Sequence, residues 1–159
     1  MNVLVSSLIS FICRGFSRLG CGLSCCPSRR PCRIFKKDGA KLSAQEVGAL
    51  GESIAADHLS LHGRKVLYRN YRGPRGGEID IVARDGQTLS FVEVKTRTRK
   101  GYGRPLDAVD RSKQQLIERG ANAWLNLLGK RDLVWRFDVV EVILCDGELA
   151  EVNVVNNAF

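Results

Sequence analysis

From Leu42 onward the chain alternates between two hydrophobic periods. In LSAQEVGALGESIAADHLSLHG the apolar residues Val47, Leu50, Ile54 and Leu61 recur at helical spacing and make one core-facing stripe. Ser43 followed by Glu46 is a capping box and Gly63 a left-handed stop, which predicts a helix from about Ala44 to His62. A second stripe, Gly48, Glu52, Ala55 and Leu59, is small enough to admit another element and puts Glu52 in a crevice. The period then shortens to two. KVLYRNY (65–71) reads as a strand, RGPRGG (72–77) as a glycine-rich loop, and EIDIVAR and TLSFVEVKT as strands around Asp85-Gly86. Helical spacing returns from about Arg111 to Leu128, between an Asp110 cap and Gly129, with Leu116, Ile117, Gly120, Trp124 and Leu127 as its stripe and Lys113 at its head. Strands over about Val134–Leu144 and Leu149–Val155 flank Asp146-Gly147. The order αβββαββ predicts a mixed-sheet α/β sandwich without internal repeats.

The best strand, FVEVKTRTRK (91–100), is interrupted by Glu93 and Lys95. Burying either charge unpaired is costly. Asp-Gly is a favoured two-residue hairpin turn, and with that turn Arg84 faces Gln87, Asp80 faces Phe91 and Glu78 faces Glu93. Glu78, Asp80, Glu93 and Lys95 then share one face, with Asp80 and Glu93 as diagonal neighbours at roughly 7–8 Å. Carboxylates gathered on a buried face repel unless something positive lies between them. A hard divalent ion such as Mg²⁺ answers that need through one or two carboxylates, water and substrate phosphate. Lys95 beside it could orient water or stabilise developing charge. The plainer reading is a structural ion-pair cluster of Glu93 with Lys95 or Arg97.

Charge changes the picture in two places. Residues 1–41 hold eight Lys/Arg against one acid, most of the net charge of +8, and five of the six cysteines. They show no sustained period and are expected to form a basic, Cys-rich, poorly ordered leader, with the domain at 42–159. CGLSCCPSRRPC lacks paired CxxC spacing and a nearby His, so a reactive-thiol leader fits it better than a metal cluster. VLVSSLISFIC (3–13) is shorter than the roughly 20 residues of a membrane span and lacks a signal peptide's charged start, so a cytoplasmic location is expected. Inside the domain, residues 64–104 carry eleven Lys/Arg and four acids. That basic zone suits a polyanion, with Arg72, Arg75, Arg97, Arg99, Lys100, Arg104 and Lys113 as candidate phosphate contacts.

Several other residues have plainer readings. Arg136 and Asp138, two apart on one strand face, read as a structural salt bridge. His58 and His62 lie at zinc-compatible spacing without an accompanying HExxH glutamate. Trp124 and Trp135 read as core. Gly73, Gly76 and Gly77 could bring backbone to a phosphate or make an ordinary flexible loop.

The combination GESIAADHL, RNYRGPRGGEIDIV, FVEVKTRTRKGYGRPLDAV, a Lys-bearing helix and RFDVVEV resembles the YraN-like family of bacterial proteins over about residues 44–145. That family looks like part of the PD-(D/E)xK nuclease superfamily, close to the archaeal Holliday junction resolvases. The resemblance implies a restriction-endonuclease-like αβββαβ core, with Glu52 as the helix carboxylate, Asp80 as the motif aspartate, and Glu93 and Lys95 as the E-x-K pair. Ile79 stands where the motif has proline, a backbone-shaping position without chemistry. The implied function is Mg²⁺- or Mn²⁺-dependent hydrolysis of DNA, branched DNA included. In that reading Glu52, Asp80 and Glu93 bind metal, and Lys95 acts with Asp80 and Glu93 in catalysis. The competing expectation is a non-catalytic nucleic-acid-binding or scaffold protein with the same fold; RNA is a weaker alternative partner.

Overall fold

The structure, a computed structural model, describes residues 30–74, 76–98, 110–129 and 133–159. Helix α1 spans Ala44–Leu61. Its capping box is formed: Glu46 N–H donates to Ser43 Oγ at 3.3 Å, and Ser43 N–H to Glu46 Oε2 at 2.9 Å. Gly63, at φ +82°, ends it in the left-handed region that disfavours side chains. The buried face is Gly51, Ile54, Ala55, Ala56 and Leu59, turned from the expected stripe toward the small residues, and Leu61 is exposed. The cause is a close approach. A Cβ at Gly51 would lie 1.9 Å from Thr96 Oγ1, whereas one at Gly48 would meet nothing within 4 Å.

Strands β1 (Lys65–Arg72), β2 (Glu78–Asp85), β3 (Thr88–Arg97), β4 (Trp135–Ile143) and β5 (Glu151–Val155) form one sheet in that order. All neighbours are antiparallel except β3 and β4, and the chain between those two carries helix α2 (Arg111–Leu128). Parallel strands need such a long crossover. The two helices cover opposite faces. Ile54 and Leu59 of α1 pack with Ile81, Val92, Val140 and Val142, and Ile117 and Trp124 of α2 pack with Phe91, Val82 and Val139. Covered on both sides, β4 reads Phe-Asp-Val-Val-Glu-Val with almost no alternation. Each large apolar side chain buried here contributes about 1.5–3 kcal/mol. This is an α/β fold with a restriction-endonuclease-like core. Among the described residues, no helix is long and apolar enough to cross a membrane.

Three expectations need correction. The β2–β3 hairpin pairs Asp85 with Thr88 and Arg84 with Leu89, two residues off the expected register. Gly86, at φ +58°, takes the first central position with Gln87 second, so the loop is Gly-Gln rather than Asp-Gly. A shift of two preserves which face each side chain occupies. Next, Trp135 is 42% exposed and Leu127 53%, so neither is core, although Trp135 still packs edge-on against Phe137 at 5.2 Å.

The third concerns the leader. Its residues 1–29 lie outside the described residues, but residues 30–41 are packed. Cys32 and Ile34 are buried in the α1 core. Cys32 N–H donates to Glu148 O at 2.6 Å, Gly147 N–H to Cys32 O at 2.8 Å, and Ile34 N–H to Asp146 Oδ1 at 2.9 Å. A boundary at 41/42 would cut through this core, which begins no later than Cys32.

α2 keeps its expected ends. Lys113 N–H donates to the Asp110 cap at 2.8 Å, and Gly129 adopts φ +63°. Gly77 sits at φ +93° with its Cα against α2, where a Cβ would come within 2.6 Å of Gly120 N. Gly77 is therefore a packing contact. It fixes the helix over β2 with Lys113, two turns upstream of Gly120, above the acid-bearing strands.

Candidate active site

The sheet opens at Asp80. Ladder pairing of β2 with β3 ends at Ile81↔Val92, whereas β3 continues beside β4 as far as Arg97↔Ile143. One further step would put Asp80 directly opposite Glu93. Instead the Asp80 carboxylate takes over a ladder position, and Val94 N–H donates to its Oδ2 at 2.7 Å. On the other side of β2, Asn70 lies opposite this point with φ +54°, a left-handed conformation rare for a non-glycine residue inside a strand. Beyond it Tyr71 and Ile79 both join the α2 core, where strict alternation from Ile81 would send them to the α1 side. The twist at Asn70 and the splay at Asp80 together aim carboxylates into a gap in the sheet.

Four more charges converge there. Glu93, 3% exposed, is 2.9 Å from Lys95 Nζ through Oε1 and 3.3 Å from Lys113 Nζ through Oε2. That Oε2 is buried without an aligned hydrogen bond. Lys113 Nζ donates instead to Glu78 Oε1 at 2.6 Å. Burial, then the charge of Glu93, push the Asp80 carboxyl up to about 7; Glu52 adds to the rise, while Val94 N–H and Lys113 oppose it. Burial works against the Lys113 ammonium, but its bond to Glu78 and the charges of Glu93, Asp80 and Glu78 outweigh that and raise its pKa. The Lys113 bond holds the Glu78 carboxyl below its usual range.

Glu52 stands between two clefts. One, of about 450 Å³, is lined by Glu52, Asn70, Arg72, Glu78 and Asp80. The other, of about 440 Å³, is lined by Lys41, Gly48, Glu52, Thr96 and Thr98. Glu52 is near enough to Asp80 to act on its charge, but no three Asp, Glu, His or Cys side chains gather around one point among the described residues. The expected three-carboxylate cage is thus reduced to Asp80 with Glu93, and Glu52 stays across the cleft.

The expected phosphate contacts divide. Arg72 is exposed at the rim of the Asp80 cleft. Arg97 is part-buried with Nε 3.4 Å from Glu141 Oε1, and Lys113 is committed to Glu78 and Glu93 rather than to solvent. Arg75, Arg99, Lys100 and Arg104 lie outside the described residues. Glu141 was missed: it is buried, paired with Arg97 and within 3.4 Å of Asn153 Nδ2. The signal was present, since Glu141 interrupts the apolar run of β4 just as Glu93 interrupts that of β3.

A second polar cluster centres on Asp138, which pairs with Val92 one register step from Glu93. Asp138, fully buried, receives Ser90 Oγ at 2.6 Å, Arg64 Nη1 at 3.0 Å, Arg136 Nε at 2.9 Å and Asn157 N–H at 2.9 Å. Arg136 also reaches Asp85 at 2.7 Å. The Arg136–Asp138 salt bridge is as expected. His58 and His62 stack at 4.0 Å, with His62 Nδ1 2.7 Å from the His58 carbonyl oxygen.

An α/β core of this kind, with an acid–lysine cluster where its sheet opens, defines a restriction-endonuclease-like protein by fold. Comparison of sequences adds the family. The model of the uncharacterised protein family UPF0102 matches residues 51–142, more than half of the chain, and the chain belongs to that family. It is 47% identical over 116 residues to a UPF0102 protein of Trichlorobacter lovleyi, covering 72% of this chain and 91% of the relative. Identity to a UPF0102 protein of Geobacter metallireducens is 46% over 118 residues, 74% of this chain and 95% of the relative. A relative from Caldicellulosiruptor saccharolyticus is 37% identical over 119 residues and matched along its whole length.

Proposed function

We propose that this chain is a divalent-metal-dependent nuclease acting on DNA, branched DNA included, by hydrolysis of the phosphodiester. The observation that carries this reading is the pairing of Asp80, a carboxylate raised to about 7, with Glu93, whose buried Oε2 has no aligned donor. Both are costs that a structural cluster would be expected to remove. Oxygen donors of this kind fit Mg²⁺ or Mn²⁺, which need only one or two carboxylates beside water and phosphate. Asp80 and Glu93 would hold the ion, with Glu52 near enough to add charge. A bound ion supplies polarisation of a phosphoryl oxygen and a more acidic water.

The chain's own residues do the rest. Arg72, at the cleft rim, holds an incoming phosphate. Lys95 spends one of its three donors on Glu93 and keeps others for the nucleophilic water or for charge developing on the phosphate. Lys113 holds Glu93 from the α2 side, its Nζ 3.3 Å from Oε2.

One observation favours a second reading. Lys95 and Lys113 already offset the charge of Glu93, so the cluster is compatible with a non-catalytic nucleic-acid-binding protein. Cleavage of linear, flapped and four-way DNA, with RNA counterparts, separates the two. The enzyme reading expects Mg²⁺- or Mn²⁺-dependent cuts that disappear in Glu93→Gln and Asp80→Asn. Tight binding with no cuts under any divalent ion would establish the binding module instead.

A further inference from the structure

The segment before α1 has a shape that its composition did not suggest. Ile34 to Leu42 forms a tight hairpin: Leu42 N–H donates to Ile34 O at 2.9 Å, Lys36 N–H to Ala40 O at 2.7 Å, and Gly39 N–H to Lys36 O at 3.0 Å. Phe35 bridges to Lys41, Asp38 Oδ1 accepts from Ala40 N–H at 3.0 Å, and Gly39 takes the turn at φ +83°. Its base is anchored by buried Cys32 and Ile34. Its side is tied to α1 by Lys36 Nζ, 2.9 Å from Glu46 Oε1. The lysine bond, aided by Ser43, holds the Glu46 carboxyl down to about 2. A basic stretch that could have trailed in solvent is therefore a fixed projection.

The exposed surface of this projection carries Arg33, Lys37 and Lys41. Lys41 has a second neighbourhood, since it lines the cleft of about 440 Å³ together with Glu52, Thr96 and Thr98. Lys41 thus borders a cleft that shares Glu52 with the Asp80 cleft, and Arg33 and Lys37 are exposed on the same projection. The hairpin also precedes the residues matched by the family model, 51–142.

We infer that the 34–42 hairpin is a nucleic-acid contact surface, with Arg33, Lys37 and Lys41 on the phosphates of a DNA strand that enters the Lys41–Glu52 cleft. The inference rests on the nucleic-acid reading above and extends it to a part of the chain outside the α/β core. An anionic membrane would also attract these cations, but a planar surface cannot follow Lys41 into a cleft. A single strand can.

The test uses the full chain with chelator, so that binding is measured without turnover. Affinity for single-stranded and forked DNA is followed from 50 to 200 mM salt for wild type and for Arg33→Ala/Lys37→Ala/Lys41→Ala. Losing three phosphate contacts should flatten the log–log salt slope by about 2–3 units, at about 0.7–0.9 per contact. The three side chains are exposed, so the melting temperature should stay within about 3 °C of wild type. An unchanged slope beside a DNA-binding wild type would overturn the hairpin surface and leave the nucleic-acid reading standing. A wild type that binds no DNA at 50 mM salt would overturn that reading and this inference with it. A triple variant that loses binding to equimolar phosphatidylglycerol–phosphatidylcholine vesicles, yet keeps its DNA slope, would assign the hairpin to membranes and sink the proposal.

Discussion

Two charged clusters share the same strands, with Asp138 only one register step from Glu93, and are built to different standards. Asp138 is fully buried, yet each of its oxygens accepts from an arginine and from one further donor, Ser90 for Oδ2 and Asn157 N–H for Oδ1. In the Asp80–Glu93 cluster one carboxylate is raised to about 7, another has an oxygen without an aligned donor, and the sheet beside them comes apart. Buried charge that is completely bonded holds a structure in one arrangement. Buried charge left incomplete costs stability at that spot, and such costs gather where chemistry is done. Composition alone does not separate the clusters, for both are acids and bases on β-strands. What separates them is the count of donors per oxygen.

The largest expected effect tests the complete cluster. Asp138→Ala removes the buried acceptor shared by Arg64 and Arg136, leaving them the half-exposed Asp85 as carboxylate partner, and strips Ser90 of its acceptor. Breaking one side of a buried ion pair costs about 3–5 kcal/mol. At about 2–4 °C per kcal/mol for a chain of this size, melting should fall by roughly 10 °C. A loss under about 1 kcal/mol would mean that Asp138 is no more structural than the carboxylates of the other cluster.

Asp80 should behave in the opposite sense. Its folded-state pKa lies above its unfolded value, so between about pH 4 and 7 the folded protein keeps a proton that the unfolded chain has released. Stability from this group is therefore present at low pH and lost as pH rises through that window, by up to about 1.4 kcal/mol per pH unit. In chelator, Asp80→Asn should be as stable as wild type near pH 4.5 and more stable at pH 7.5. It should also abolish the stabilisation of about RT ln(1 + [L]/Kd) that a divalent ion gives the wild type. Equal pH profiles for the two proteins would remove the distinction between the clusters.

Much of this site was legible because its signals are local. A charge in an apolar strand marks Glu93, a capping box and a terminal glycine bound α1, and Asp110 with Gly129 bounds α2. An even register error leaves the shared face of Glu93 and Lys95 unchanged, but alternation breaks at Asp80, so Glu78 joins the cluster through its bond to Lys113 rather than by strand parity. What was not legible is non-local. The turn depends on which of two adjacent positions takes Gly86. The splay depends on a side chain replacing a backbone partner at Val94, and the destination of Lys113 depends on two glycines, Gly77 and Gly120, touching across elements. The hairpin at 34–42 was hidden for the same reason: its anchor is Asp146, 112 residues away.

Lys113→Gln sharpens the comparison at intermediate size. It removes the ammonium between Glu78 and Glu93 while Lys95 remains, so the cost should be about 1–2 kcal/mol, below that of Asp138→Ala. Lys113 opposes the rise at Asp80, so its loss should move that titration higher still. With a competing cation gone, stabilisation by Mg²⁺ or Mn²⁺ should grow. If the ion instead stabilises the variant less than wild type, Lys113 organises the carboxylates for the metal rather than competing with it.

The smallest effect belongs to Glu78, whose side chain is 44% exposed although it makes the shortest ion pair of the cluster, 2.6 Å to Lys113. Solvent screens such a pair, and its worth is at most about 1 kcal/mol. Its carboxyl is held low by the Lys113 bond, so the contribution exists above the ordinary glutamate range and disappears as pH falls through the depressed folded value. Glu78→Gln should therefore lower stability slightly at pH 7 and converge with wild type once pH falls below the depressed folded value of Glu78. The contrast with Asp138 lies in solvent access rather than in distance, since every Asp138 contact given above is as long or longer. A Glu78→Gln loss as large as that of Asp138→Ala would show that this cluster is held as tightly as the other, and the argument from incomplete bonding would fail at its most exposed point.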